Sequence, residues 1–335
     1  MRRGSIRPKL AMYWAASCGG CEMALLSLDE LLFSLNDSFE LAFCPCLVDT
    51  KKAYLKSLPD GDIAVTLFNG GIRTDDDEAM AHLLRRKSRT LIAFGSCAHE
   101  GCIPGLANLG TPHNHLADSF LQNATTVNPR GTIPKAETVM KEGALYLPVW
   151  NSRLKTLAQT VAVDYILPGC PPEPHRVREL FRMLVGEAVL PPPGSVIGAG
   201  SSTVCAECPR HRGIKNVTRF YRIHERIPNP ALCLIEQGIV CMGIATRDGC
   251  GCRCPGVNMP CSGCYGAPEG VADQGAAMMS ALASVIDVGH VGGLSSHEIS
   301  DRIDAVLDTL PDYVGTFWKY SLADSLLAGL LVRQR

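Results

Sequence analysis

Five apolar runs of strand length, at residues 10–15, 41–48, 63–68, 90–94 and 161–167, alternate with stretches whose apolar residues recur at helical spacing. Residues 22–35 place Met23, Leu26, Leu31 and Leu35 on one such stripe, residues 75–86 begin acidic and end basic as a helix prefers, and residues 173–185 follow a pair of prolines. The order β-α-β-β-α-β…β-α predicts an α/β domain of flavodoxin-like kind, a parallel sheet wound with helices. Pro191-Pro192-Pro193-Gly194 and the small residues at 198–202 break both periodicities and mark a linker. Residues 204–267 then show little regular pattern, and helical spacing returns at 271–287 and 297–310. The expected organisation is a flavodoxin-like domain over 1–190, a small irregular domain over 200–270 and a C-terminal helical tail over 271–335.

At 335 residues, 46% hydrophobic and 19% charged, the chain is long enough for one large core and a smaller appendage. A formal charge of −1, with no basic stripe carrying interleaved aromatics, argues against nucleic acid as a partner. No run approaches the ~20 apolar residues that span a bilayer. Residues 326–332 are too few, and Arg2-Arg3 is followed by no apolar stretch of secretory length, so a cytoplasmic chain without membrane insertion is expected. The sixteen cysteines change the picture. In a reducing compartment, clustered thiols bind metal or do redox work rather than pair as disulfides.

Cys18 and Cys21 follow the first predicted strand, Cys97 in Gly95-Ser96-Cys97-Ala98 follows the fourth, and Cys170 in Pro168-Gly169-Cys170-Pro171-Pro172 follows the fifth. Open parallel sheets bind ligands beyond the carboxyl ends of their strands, so four thiolates distant in sequence can meet there. Glycines beside them let backbone approach an inorganic cluster and aim N–H groups at its sulfides. Alone, the Cys18–Cys21 pair reads equally as a structural zinc knuckle or a redox dithiol, whereas ligands drawn from three strand ends suit a larger cofactor. Nine cysteines lie within residues 204–267. Cys205-x2-Cys208-x24-Cys233-x7-Cys241 and Cys250-x3-Cys254-x6-Cys261-x2-Cys264 make two thiolate quartets, which fit two 4Fe-4S clusters or, alternatively, two structural zincs. Four cysteines remain. Cys44 and Cys46 are expected on one strand face as buried small hydrophobes, Cys102 has no assigned role, and Cys252 is an alternative to Cys254 as ligand.

At these residues the chain resembles the small subunit of nickel-iron hydrogenases, from Leu10 to about Asp287. The CxxC near the start, the G-[ST]-C-A of Gly95–Ala98 and the P-G-C-P-P of Pro168–Pro172 match that family's proximal-cluster pattern. The last motif also occurs in the related quinone-reductase subunit of respiratory complex I, which has adjacent cysteines at the first site and lacks the second segment. The resemblance implies three 4Fe-4S clusters: proximal at Cys18, Cys21, Cys97 and Cys170, medial at Cys250, Cys254, Cys261 and Cys264, and distal at Cys205, Cys208, Cys233 and Cys241. Membrane-bound and periplasmic members hold the distal cluster with a histidine where Cys205 stands, and have three medial cysteines. The all-cysteine sets here are similar to the soluble group, which includes the methyl-viologen-reducing hydrogenases linked to heterodisulfide reductase and the deazaflavin-reducing ones. Residues 103–108 (IPGLAN), 260–266 (PCSGCYG) and 273–276 (DQGA) resemble that group too, although it more usually has glycine at the position of Cys102.

The resemblance further implies an electron-transfer subunit. Hydrogen would be activated at a nickel-iron centre in a separate large subunit, and electrons would pass through the three clusters to an iron-sulfur or flavin partner, of the heterodisulfide-reductase-linked kind. Glu22, directly after a proximal ligand, is a candidate for a proton path towards the large subunit; a helix-start carboxylate is the plainer role. His99 is expected in an exposed loop. Arg210, His211 and Arg212 are expected to meet an acidic partner or to balance cluster charge. Two rivals stay open: a subunit of a hydrogenase-like complex whose large subunit has lost its metal centre, and a zinc-stabilised scaffold without redox function.

Overall fold

A computed structural model of the chain describes residues 7–213, 216–310 and 312–328; Arg2-Arg3 and the 326–332 run from Gly329 onward lie outside the described residues. Two compact units emerge. The first reaches Ile197 and takes in Leu322–Asp324 and Ala328, and the second comprises Gly198–Ser321 with Ser325–Leu327.

The first unit is built on five strands, β1 (Lys9–Trp14), β2 (Glu40–Phe43), β3 (Ile63–Asn69), β4 (Ser88–Phe94) and β5 (Tyr165–Leu167). All pairings are parallel, in the order β2-β1-β3-β4-β5. That is the flavodoxin-like order, as the alternation of periods implied. Side chains alternate across each strand. Leu10, Met12, Val65, Leu67, Ile92 and Phe94 therefore join one core with Leu25 of helix α1 (Gly20–Leu26) and Leu35 of α2 (Leu31–Ser38). Ala11, Tyr13, Phe68, Leu91 and Ala93 face the other way, onto Met80, Ala81 and Leu84 of α3 (Asp75–Lys87). Thr74 opens α3 through a capping box with Asp77, and its last turn carries Arg85, Arg86 and Lys87, the charge order that the helix dipole favours. After β5, α4 (Pro174–Leu184) packs Val177, Leu180 and Phe181 into the first core.

Three expected elements are shorter than the apolar pattern suggests. The helix at 22–35 is two, α1 and α2, with Asp29 left-handed at φ 49° between them. The strand at 41–48 stops at Phe43, because the Cys44 carbonyl accepts N–H from Leu47 (2.9 Å) and Val48 (2.9 Å) and closes a turn. Cys44 and Cys46 thus share no strand face; Cys44 is buried and Cys46 is exposed. The run at 161–167 forms strand only from Tyr165, while Val161 and Val163 pack on the second core from a loop.

Between β4 and β5 the chain makes an excursion. Its hairpin, Glu137–Met140 with Gly143–Tyr146, is exposed on both faces, Val139 at 76% and Tyr146 at 70%.

The second unit has few regular elements beyond α5 (Gln274–Ala283) and α6 (Ser296–Leu307). The segment 273–276 shows how so irregular a unit is fixed. Asp273 caps α5 at the Ala276 N–H (2.9 Å) and also accepts from the Trp318 indole N–H (2.8 Å) and the Leu326 N–H (2.9 Å). Gln274 donates to the Gly263 carbonyl (2.9 Å) and to Thr246 Oγ1 (3.2 Å). Gly275 lies under the Trp318 ring, where any side chain would collide. Asp273→Ala removes the cap and strands a buried indole N–H, and is expected to cost about 2–4 kcal/mol, read as a lowered thermal midpoint.

Candidate metal centres

Because β1, β4 and β5 run parallel, their carboxyl ends lie along one edge of the sheet, and the cysteines beyond them come together there. Burial, then the nearby sulfurs and carboxylate of Cys97, Glu22, Cys170 and Cys18, push the Cys21 thiol well up from its ordinary value. Cys21 and Cys97 are buried; Cys18 and Cys170 are exposed on this chain alone. Gly95 (φ 86°) lets the turn after β4 pass Cys21, since a methyl there would strike its Sγ.

A fifth thiol joins them. Cys102 is 1% exposed, with its Sγ 3.6 Å from Cys170 Sγ and beside Cys97. Its S–H is the largest influence lowering Cys170, to about 7, and Cys97, while its own thiol is held strongly up. Cys102 sits in the turn Gly101–Gly105, behind which Ala323 is packed: a side chain at Gly101 would strike Ala323, and one at Gly105 would come within 3.2 Å of it. Sequence spacing gave no role to Cys102, because only the left-handed turn after Gly101 folds it back onto Cys97.

Glu22 lies in the first turn of α1, 7% exposed, and accepts from Asn69 Nδ2 at the end of β3 (2.7 and 2.9 Å). His99 is half-buried in the helical turn Ser96–Glu100 rather than in an exposed loop. The carboxylate that sequence reading missed is Glu100, where burial above all, then Asp324, Cys170 and Cys97, raise the pKa well above the usual range.

In the second unit, Cys205, Cys208, Cys233 and Cys241 line one small cavity with Arg210, Arg212 and Gly243. Burial, with Cys241 the nearest thiol influence, pushes Cys205 up to about 11. Cys254 and Cys261 line a neighbouring cavity, and burial followed by Cys241 and Cys254 raises Cys261 to about 12. The two groups adjoin, since the Cys261 N–H donates to Cys241 Sγ (3.2 Å). The Cys252 thiol lies beside Cys208, and Cys254 beside Cys261.

Glu207, between two cysteines of the first group, straps the loop of the second: its carboxylate accepts N–H from Gly249 (3.1 Å), Gly251 (3.1 Å) and Cys252 (3.2 Å). Arg210 is not a partner-facing cation. It is 6% exposed and donates to the carbonyls of Pro255, Asn229 and Leu232 and to Asn258 Oδ1. Arg212 donates to the Cys205 carbonyl (2.6 Å), and His211 is exposed.

These donor sets fit iron-sulfur cubanes. All-thiolate sites select zinc or iron-sulfur, and ligands drawn from three strand ends suit the larger cofactor. Among them the buried thiols of Cys21, Cys241 and Cys261 are held up by burial and are costly to ionise, a cost that a polynuclear cation offsets.

Residues 18–184 match the family model of the NADH ubiquinone oxidoreductase 20 Kd subunit. The iron-sulfur subunit of the F420-non-reducing hydrogenase of Archaeoglobus profundus is 32% identical over 95% of this chain and 97% of its own. The corresponding subunit of the vhu F420-non-reducing hydrogenase of Methanocaldococcus jannaschii is 35% identical over 91% of this chain and 95% of its own. Among solved structures, a chain of the [NiFeSe] hydrogenase from Desulfovibrio vulgaris Hildenborough superposes with a TM-score of 0.50 at 15% identity, covering 79% of this chain and 95% of that one, a likeness of fold.

Proposed function

The chain belongs to the family of iron-sulfur subunits of F420-non-reducing hydrogenases, which are small subunits of the nickel-iron hydrogenase kind, and from that premise we propose that it conducts electrons through three 4Fe-4S clusters. It is a subunit of an oxidoreductase, with hydrogen activated on the large subunit. The observation that carries the proposal is the meeting of Cys18, Cys21, Cys97 and Cys170 from three strand ends. These four would hold the proximal cluster, Cys205, Cys208, Cys233 and Cys241 the distal one, and Cys250, Cys254, Cys261 and Cys264 the medial one. Bound clusters supply one-electron transfer, with potentials set by burial and by hydrogen bonds to sulfur.

The protein's own contribution is positional. Gly95 lets the Cys97 turn close over Cys21, the Cys261 N–H donates to a distal sulfur, Glu207 fixes the loop of Cys250, and Arg210 fixes the turn after Cys254. The exposed edge at Cys18 and Cys170, and the apolar hairpin at 137–146, are where the large subunit would cover this chain. Beyond the distal cluster the partner is an iron-sulfur or flavin protein, of the heterodisulfide-reductase-linked kind. Among the described residues no helix is long and apolar enough to cross a membrane.

Metal and acid-labile sulfide analysis of the native complex tests the proposal. About four irons per cluster, hence about twelve for this subunit, with matching sulfide and reducible paramagnetic signals, are expected. Two or three zincs without sulfide would overturn it in favour of a scaffold.

A further inference from the structure

We infer that Cys102 is a tuning residue: it donates an S–H hydrogen bond to the ligand sulfur of Cys170, and so raises the reduction potential of the proximal cluster. The inference rests on the cluster reading above. Four thiols already serve as ligands at this edge, yet Cys102 is buried with its Sγ 3.6 Å from Cys170 Sγ, at hydrogen-bond range for sulfur.

Its backbone makes the placement hard to ascribe to packing. Cys102 is left-handed, at φ 50°, a conformation that glycine adopts freely and that asparagine and aspartate tolerate through local hydrogen bonds. A cysteine there gains nothing from its backbone. Strain of this kind persists where surrounding interactions offset it, and it gathers at functional sites. The contact that Cys102 makes and glycine could not is the one with the ligand sulfurs.

The arrangement occurs twice. Among the described residues, the non-glycine positions with positive φ are Asp29, Cys102, Cys252 and Asn258. Two are the residue types that tolerate it, and the other two are cysteines outside the ligand quartets. Cys252, at φ 52° and 2% exposed, has its thiol beside Cys208 of the distal set. Two unrelated loops, in two different units, each place a thiol in an unfavourable backbone conformation against a ligand sulfur.

The chemistry gives the direction. A ligating sulfur carries more negative charge when its cluster is reduced, and an S–H donor stabilises that state more than the oxidised one. Removing the donor therefore lowers the potential.

The test is a redox titration, followed by electron paramagnetic resonance, of the intact complex carrying Cys102→Gly, Cys102→Ser or Cys252→Gly, with iron and sulfide counted in each. Glycine relaxes the backbone, so the fold is not at risk from strain. Full iron and sulfide are expected in all three. Cys102→Gly should lower the potential of one cluster signal, Cys102→Ser, which keeps a donor, should stay near the wild type, and Cys252→Gly should lower a different signal. A glycine variant whose titration overlays the wild type at full iron content overturns the inference for that cysteine. Lost iron or a changed cluster type in Cys102→Gly makes Cys102 a ligand and also overturns it. A wild-type complex without sulfide sinks the cluster reading instead, which a flat titration of intact clusters does not.

Discussion

Cys21→Ser is expected to remove one cluster of three, about four irons with their sulfide, and to abolish hydrogen-dependent reduction of dyes or partner while the remaining cluster signals persist. Cys21 is the ligand to change because of what surrounds the others. Cys102 lies against both Cys97 and Cys170, so a serine at either leaves a spare sulfur within reach. Cys21 is 5% exposed, on the first turn of α1, and its sulfur neighbours, Cys97, Cys170 and Cys18, are all in the proposed quartet already. A serine oxygen is a poorer donor to iron-sulfur than thiolate, which suits soft sites. The medial and distal sets belong to the other unit and should load independently. An intact iron count in Cys21→Ser would remove this cysteine from the quartet.

Gly95→Ala should be the most damaging change that leaves every cysteine in place. Gly95 combines φ 86° with ψ 163°, a region nearly exclusive to glycine, and an added methyl would collide with Cys21 Sγ. Backbone strain and overpacking together come to about 3–5 kcal/mol. The flexible end of Cys21 would yield first, so iron should be lost along with stability. Gly186→Ala is the control: it is also left-handed, at φ 83°, but has open space around it, and should cost only the backbone strain, about 1–2 kcal/mol, with iron content unchanged. Equal thermal midpoints for the two variants would mean that the turn is not held against Cys21 as described.

The sheet was legible because β1, β3 and β4 alternate apolar residues between two buried faces, a period that few other folds impose. The break between α1 and α2 was not, since Leu31 and Leu35 keep the helical stripe of Met23 and Leu26 across a left-handed Asp29, and apolar spacing does not report the sign of φ. The same blindness hid Cys102 and Cys252, whose roles depend on left-handed backbone turning them inward. It hid Glu207 and Arg210 as well. Arg210 read as a cation for a partner or for cluster charge and Glu207 carried no reading, yet both are spent on backbone N–H and carbonyl groups that a unit poor in helix and strand leaves without partners. Cys46 failed in the opposite sense: an apolar run continued past the point where a turn had already ended the strand.

Ala323, packed behind the Gly101–Gly105 turn, with its carbonyl accepting from Gln159 Nε2 (3.0 Å), belongs to the first unit although Gly198–Ser321 of the second unit precede it along the chain. During synthesis the ribosome therefore releases Cys18, Cys21, Cys97 and Cys170 long before it supplies the back wall of their pocket. A nascent chain halted short of Leu322 would leave that turn open to water, so the wall behind the candidate metal site closes only after Leu322–Asp324 have been made.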